Sequence, residues 1–167
     1  MGCRGVLFSL TEEQVDTLKS FGTDTERLDY VQDEIEEQFF EAEPDHKVET
    51  DKAWDAIHRA LTDGKLGYDN GNFPLNMVIL GGEALYSADD YIMSLKTPEK
   101  VKAVAEAIHN VTEEVLRRGY FKINAEDYGF PLTDEDFAYT WKWFSALKPF
   151  YRDAAAEKRY VLFTADQ

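Results

Sequence analysis

The sequence predicts a helix-rich α/β fold, either three-layer or α+β, in which helices cover a small mixed sheet. Short apolar runs typical of strands lie near residues 5–10, 75–80 and 160–164, and long stretches with helical spacing separate them. Hydrophobic residues make up 44% of the 167 positions and aromatic residues 14%, which is enough for a dense core. With no internal repeat or linker, we expect one domain over residues 1–167.

Each strand is predicted from its own apolar run. GVLFSL at 5–10 and YVLFT at 160–164 are rich in β-branched and aromatic residues. LNMVIL at 75–80 is a continuous apolar run that ends at Gly81 and Gly82, which favours a buried central strand. The sheet therefore takes strands from both ends of the chain and from its middle.

Capping boxes predict the first two helices. Thr11 with Gln14 opens a helix over 11–20, and Thr23 with Glu26 opens a second one. The second helix is amphipathic and ends before Pro44. Its apolar residues, which recur at spacings of three and four, are Leu28, Val31, Ile35 and Phe39.

Later helices follow from periodicity, proline and glycine. They are predicted over 51–62, from Pro98 to about 109, over 112–118, and from Thr133 onward. Because a proline removes a helical hydrogen bond, Pro149 predicts a break in the last helix near Leu147. The glycine- and asparagine-rich stretch 63–74 is a long surface loop of a length that often carries function.

Charge and cysteine content exclude several classes of partner. The chain has 33 acidic and 18 basic residues, a net charge of −15, which disfavours nucleic acid and anionic membranes. No apolar run is long enough to span a membrane, and the start lacks the pattern of a signal peptide. Cys3 is the single cysteine, so an internal disulfide is impossible and a reducing cytoplasm is the expected location.

Motifs for cofactors and metals are missing. The sequence has no G-x-G-x-x-G, no phosphate-loop lysine and no G-x-S-x-G. His46 lies among acidic residues, but their spacing fits no known metal site. We therefore predict no cofactor and no metal, while the sequence leaves open whether any reaction is catalysed.

The second helix concentrates negative charge. Between Asp24 and Asp45 there are ten acidic residues against Arg27 alone, and the inward apolar stripe places most of them on the opposite side. This acidic ridge is either a solvated face or a surface that steers a basic protein partner. The candidates for partner docking are Asp29, Asp33, Glu36 and Glu37.

The stretch DKAWDAIH at 51–58 suggests a second candidate site. Trp54 and His58 lie one helical turn apart, so they either pack in the core or face a ligand. Convergence with Glu83 would give an aromatic wall, a titratable imidazole and a carboxylate suited to acid–base work. The candidate ligand-binding residues are Asp51, Lys52, Trp54, His58, Gly81, Gly82 and Glu83.

Several stretches, taken in order, resemble the YfbM-like family of small bacterial proteins. They are MGCRGVLFSLT, DKAWDAIHRALTDG, NMVILGGE, TPEKVKAVAEAI and FSALKPFYRDAAAEKRYVLF. The resemblance implies a three-layer α/β domain in the bacterial cytoplasm, and it places the family's recognisable positions on six of the ligand-binding candidates, all except Glu83. It supplies no reaction. ALYSADDYIMSL, after Gly82, departs from the glycine-richer segment expected there.

Two functional hypotheses follow. In the first, the protein is a non-catalytic interaction module whose acidic ridge docks a basic partner, for instance as an immunity-type protein. The alternative is an enzyme or small-ligand binder with a pocket around Trp54, His58 and Gly82–Glu83. The sequence leaves the oligomeric state open.

Overall fold

The computed structural model describes residues 3–166, so the first two residues and the last residue of the predicted domain over 1–167 lie outside the described range. Five strands form one sheet, and a separate hydrophobic cluster lies against each of its faces. Helices supply the outer sides of both clusters. The predicted helix-rich α/β class is therefore confirmed, with a sheet between two helical layers.

The sheet has the strand order β2-β1-β5-β4-β3, and every neighbouring pair is antiparallel. The strands are β1 (Gly5–Leu10), β2 (Lys47–Asp51), β3 (Glu83–Ala84), β4 (Tyr91–Lys96) and β5 (Tyr160–Asp166). The predictions for β1 and β5 are confirmed. The prediction of a mixed sheet is wrong, because a helical connection can return the chain in either direction and its length does not fix strand orientation.

The first helical layer covers Phe8, Leu10 and Leu162. It contains α1 (Glu12–Ser20), α2 (Asp24–Tyr30), a π-helical stretch (Val31–Glu36) and α3 (Glu37–Glu41). Both predicted threonine caps are present, since the hydroxyls of Thr11 and Thr23 each accept a backbone N–H at 3.2 Å. The predicted apolar stripe faces the sheet, and the helical segment ends before Pro44 as expected.

The second helical layer packs on the opposite face of the sheet. Its helices are α4 (Trp54–Leu61), α5 (Pro98–His109), α6 (Glu113–Tyr120), α7 (Ala125–Tyr128), α8 (Asp134–Ser145) and α9 (Leu147–Ala156). The predicted break near Leu147 is confirmed, because α8 and α9 are separated at Ala146. Pro149 then falls in the first turn of α9, where a missing N–H costs no helical hydrogen bond.

The stretch 75–80 is not a strand, which corrects the sequence prediction. Leu75–Met77 form a 3-10 turn and the next three residues continue as turns, although Val78 and Ile79 are completely buried. An apolar run specifies burial but not the hydrogen-bonding pattern of its backbone. The middle of the chain instead contributes β4, which pairs with β5.

None of the helices in the described chain is both long and apolar enough to cross a lipid bilayer.

Candidate functional site

The acidic ridge, defined as the acidic residues of the segment 24–45, lies on the solvent side of the first helical layer. Val31, Ile35 and Phe39 are 0–1% exposed, so the apolar stripe is fully used by the core. Most of the carboxylates therefore point into water. Seven of the ten belong to exposed residues: Glu26, Asp29, Asp33, Glu34, Glu37, Glu41 and Asp45.

Part of the ridge is committed to contacts within the protein. Asp24 accepts hydrogen bonds from the Ser87 hydroxyl at 2.8 Å and from the backbone of Ser87 and Ala88, and these bonds lower its pKa. Glu36, a predicted docking residue, is half-buried and accepts from the Tyr91 hydroxyl at 3.4 Å. Burial raises the pKa of Glu36, against the effect of that hydrogen bond. Glu36 is therefore a less available contact than its neighbours.

Most of the remaining ridge is unpaired, although Glu26 accepts from Thr23 and Glu43 contacts His46. Within residues 3–166 six of its carboxylates form no salt bridge and accept no side-chain hydrogen bond: Asp29, Asp33, Glu34, Glu37, Glu41 and Asp45. Three of the four predicted docking residues are in this group. The structure thus brings most of the docking candidates together on one exposed surface.

Asp51 is the last residue of β2 and Lys52 follows it before α4, and Tyr139 contacts both. The Tyr139 hydroxyl donates to Asp51 at 2.7 Å and accepts from the Lys52 backbone N–H at 3.1 Å. Asp51 also pairs with Arg4 at 3.4 Å, and its φ of 48° is in the left-handed region. Ala53 is the N-cap residue of α4, so Asp51 tethers the helix start to α8 without capping it.

Trp54 and His58 are both core residues, 4% and 1% exposed. The Trp54 indole packs against Phe163 with ring centroids 5.5 Å apart, and its N–H donates to the Cys3 carbonyl at 2.7 Å. His58 Nε2 lies 3.0 Å from the Asn70 side-chain oxygen. Burial lowers the pKa of His58, against the effect of the Asn70 hydrogen bond, so the imidazole is neutral near pH 7.

The bond from His58 to Asn70 anchors the long loop over 63–74. The Asn70 amide nitrogen also donates to Thr62, to Asp63 and to the carbonyl of Lys65 at 2.6–3.2 Å. Asn70 therefore closes the loop on itself and fastens it to α4. His58 serves this loop rather than an open cavity.

Gly81 and Gly82 pack where a side chain does not fit. A Cβ on Gly82 would lie 2.5 Å from the Leu95 carbonyl, and its φ of 136° favours glycine. A Cβ on Gly81 would overlap the Asn76 carbonyl. Glu83 is exposed on the edge strand β3 and pairs with Lys19 of α1 at 2.9 Å. Glu83 thus contacts the first helical layer, whereas Trp54 and His58 belong to the second, so the structure does not bring these three residues together.

Next to these glycines, buried side chains satisfy backbone carbonyls at the end of the misassigned stretch 75–80. The Tyr151 hydroxyl donates to the Val78 carbonyl at 2.6 Å, Lys96 Nζ donates to Ile79, and Ser94 Oγ donates to Leu80 at 2.7 Å. Lys96, Ser94 and Tyr151 are completely buried. We call these donors and their carbonyls the carbonyl cluster. Burial holds the pKa of Lys96 well below its ordinary value, because the charged amine loses its hydration.

A surface pocket of about 510 Å³ opens beside Trp54, between the loop 63–74 and the segment 84–92. Four aromatic residues are part of its lining, together with smaller residues such as Gly67, Ala84 and Ser87. The four aromatic residues are Trp54, Tyr68, Tyr86 and Tyr91. Of the predicted ligand-binding residues, Trp54 lines this pocket, while His58, Gly82 and Glu83 do not. The sequence signal that pointed here was the length of the loop.

The lining of the same pocket carries negative charge and no positive charge among the described residues. Asp89 contributes the one carboxylate of its described lining, and no lysine, arginine or histidine contributes to that lining. Tyr86 donates to Asp90 at 2.9 Å, and Tyr91 donates to Glu36, so further carboxylates stand one hydrogen bond away. Burial, followed by the charge of Asp89, raises the pKa of Tyr68. The chemistry of the pocket therefore favours cations.

Metal binding finds no support in the part of the chain that the structure describes. No group of three or more histidine, cysteine, aspartate or glutamate side chains converges there as metal ligands would. His46 contacts Glu43 at 3.2 Å and Glu157 at 3.1 Å, and these contacts attach the turn at 44–46 to the end of α9. We assign His46 a structural role.

Comparison with known proteins places the fold but not a function. The chain is similar to a solved structure described as a protein of unknown function, YfbM from Escherichia coli, with a TM-score of 0.69 and 21% sequence identity. That match covers 97% of this chain and 99% of the other. No curated protein matches the sequence. A family model described as a domain of unknown function, DUF1877, matches residues 1–164. The YfbM-like resemblance is thus confirmed, and the chain belongs to the DUF1877 family.

Proposed function

We propose that the protein is a non-catalytic interaction module of the bacterial cytoplasm, whose acidic ridge docks a basic protein. An immunity-type role, in which the ridge covers a basic toxin, is one form of this function. The observation that carries the proposal is the set of six exposed carboxylates that form no salt bridge and accept no side-chain hydrogen bond within residues 3–166. A protein that used these groups for its own stability would pair them with cations.

The position of the ridge also supports docking. Eight of its ten carboxylates belong to one continuous helical segment, 24–41, that is held to the sheet by completely buried residues such as Val31 and Phe39. A rigid, like-charged surface attracts oppositely charged proteins and raises their association rate. Such attraction weakens as salt shortens the Debye length from about 10 Å at 0.1 M to about 3 Å at 1 M.

Pull-down from the native cells tests the proposal with two matched variants. The ridge variant carries Asp29→Asn, Asp33→Asn, Glu34→Gln and Glu37→Gln. The control variant removes the same charge from the other helical layer through Glu113→Gln, Glu114→Gln, Glu126→Gln and Glu135→Gln, all exposed. We expect the parent and the control to retain a basic protein at low salt and to release it near molar salt, while the ridge variant retains none. Equal retention by all three proteins contradicts the proposal.

A small-ligand site is the second candidate function, and the pocket of about 510 Å³ beside Trp54 is the observation that favours it. This volume lies within the range of about 300–1,000 Å³ that is usual for ligand sites. The pocket supports binding rather than acid–base chemistry, because the buried imidazole of His58 does not line it. Ligand-induced thermal stabilisation that disappears in a Tyr68→Leu variant is the expected result for a small-ligand site.

A further inference from the structure

The aromatic pocket beside Trp54 adjoins the acidic ridge. Asp24, at the start of the ridge, bonds to Ser87, and Glu36, in its middle, bonds to Tyr91. Both Ser87 and Tyr91 line the pocket. A protein lying on the ridge would therefore reach the mouth of the pocket without a change in fold.

The pocket lining suits a positive charge carried on a carbon chain. The exposed ring of Tyr68 and the half-buried ring of Tyr86 provide most of the aromatic surface, since Trp54 and Tyr91 are 4% and 5% exposed. Aromatic surface attracts lysine and arginine side chains through the ring quadrupole. Asp89 is exposed and forms no salt bridge with any cation of the described chain. Arg27, which reaches the segment 84–92 at Leu85, donates to the carbonyls of Phe21 and Leu85.

We propose that this pocket receives a lysine or arginine side chain of the basic protein that docks on the ridge. The inference rests on the proposed function and adds an anchoring contact to it. Anchors of this kind, in a pocket near the centre of an interface, carry most of the binding energy of protein complexes. Surrounding carboxylates then steer the partner, while the pocket selects the residue that enters.

A pair of small probes tests the pocket alone. N-acetyl-arginine amide carries the guanidinium, and N-acetyl-citrulline amide has the same shape without the charge. We expect the arginine derivative to shift the NMR signal of the Trp54 indole N–H saturably, and the citrulline derivative to bind about tenfold more weakly. Asp89→Asn should weaken the binding of the arginine derivative to a similar extent. The control, Asp69→Asn, removes a charge from the loop 63–74 on the other side of the pocket, at an exposed residue outside the lining, and should leave binding unchanged.

A peptide of twelve alternating arginine and serine residues separates the pocket from the ridge. We expect Asp89→Asn to lower the affinity of the protein for the peptide without changing how that affinity depends on salt. The ridge variant should reduce the salt dependence of peptide binding and still bind the arginine derivative. The absence of a saturable Trp54 shift, or equal shifts with both small probes, overturns the pocket proposal even when the peptide binds the ridge. If neither variant changes the affinity for the peptide, the proposal that the ridge docks a basic protein is overturned as well. If the arginine derivative binds but Asp89→Asn leaves the affinity for the peptide unchanged, the pocket is a site for free cations and the anchoring role is overturned.

Discussion

Lys96 in the carbonyl cluster and Asp33 on the acidic ridge show how differently this protein uses ionisable residues. Lys96 is completely buried and hydrogen-bonded to backbone carbonyls, and burial holds its pKa well below the ordinary value. Asp33 is exposed and, among the described residues, has no cation beside it. Buried polar groups are retained where they satisfy backbone that would otherwise lose its hydrogen bonds. The comparison assigns the carbonyl cluster to stability and leaves the ridge available for function.

The largest effect is expected from a glycine beside the carbonyl cluster. Gly82→Ala places a Cβ 2.5 Å from the Leu95 carbonyl at a φ of 136°, so both overlap and backbone strain oppose it. We expect the free energy of unfolding to fall by roughly 3 kcal/mol, measured by urea denaturation. Gly22→Ala, just before the ridge, is the matched control, because a Cβ there meets nothing within 4 Å. Equal stability of the two variants would contradict the close packing described for Gly82.

The sequence predicted the helices around these regions better than the backbone within the carbonyl cluster. Thr11, Thr23 and Thr133 mark helix starts through local hydrogen bonds, and local signals of this kind are visible in the sequence. The run 75–80 was misassigned because the carbonyls of its buried end, Val78–Leu80, are satisfied by side chains distant in the sequence, those of Tyr151, Ser94 and Lys96. No local pattern reports such partners.

The candidate site was predicted in part for the same reason. The ridge was visible because helical periodicity alone places Asp29, Asp33 and Glu37 outward. The pocket was not, because it depends on where the loop 63–74 meets the segment 84–92. β4 was also missed, since all six of its residues are buried and Lys96 among them obscures the apolar pattern of a central strand.

An intermediate effect is expected from the pH dependence of Lys96. Its pKa in the folded protein is lowered well below the ordinary value of 10.5, so between these two values the unfolded chain binds a proton that the folded protein does not. Stability therefore rises with pH through this range, by at most about 1.4 kcal/mol per pH unit. Lys96→Met removes the titrating group, so the parent should gain stability relative to the variant as pH increases from 7 to 10.

Denaturation of both proteins at several pH values checks this prediction. Titratable groups present in both proteins cancel in the difference between their free energies of unfolding. The Ile79 carbonyl, which loses its donor in Lys96→Met, changes the size of this difference equally at every pH and does not change its slope with pH. Lys96→Arg is the informative control, since a guanidinium cannot become neutral and should destabilise the protein at every pH. A difference between parent and Lys96→Met that stays constant with pH would show that the buried amine is charged.

The smallest effect is expected on the acidic ridge, and it completes the comparison. The ridge variant with Asp29→Asn, Asp33→Asn, Glu34→Gln and Glu37→Gln loses no salt bridge of the described structure. Two of its carboxylate pairs are four residues apart on a helical surface, and each such pair repels by about 0.2–0.5 kcal/mol. We therefore expect the free energy of unfolding to change by less than about 1 kcal/mol, with a gain at low salt that disappears at high salt.

Asp55→Asn provides the contrast in the same denaturation experiment. Asp55 accepts from Arg59 at 2.6 Å in a largely buried pair, so its loss should cost roughly 2 kcal/mol. A comparable loss in the ridge variant would mean that the exposed carboxylates hold the fold together and do not form a docking surface. A gain in stability would mean that repulsion between these carboxylates destabilises the folded protein. Their presence is then explained by the basic partner that they attract.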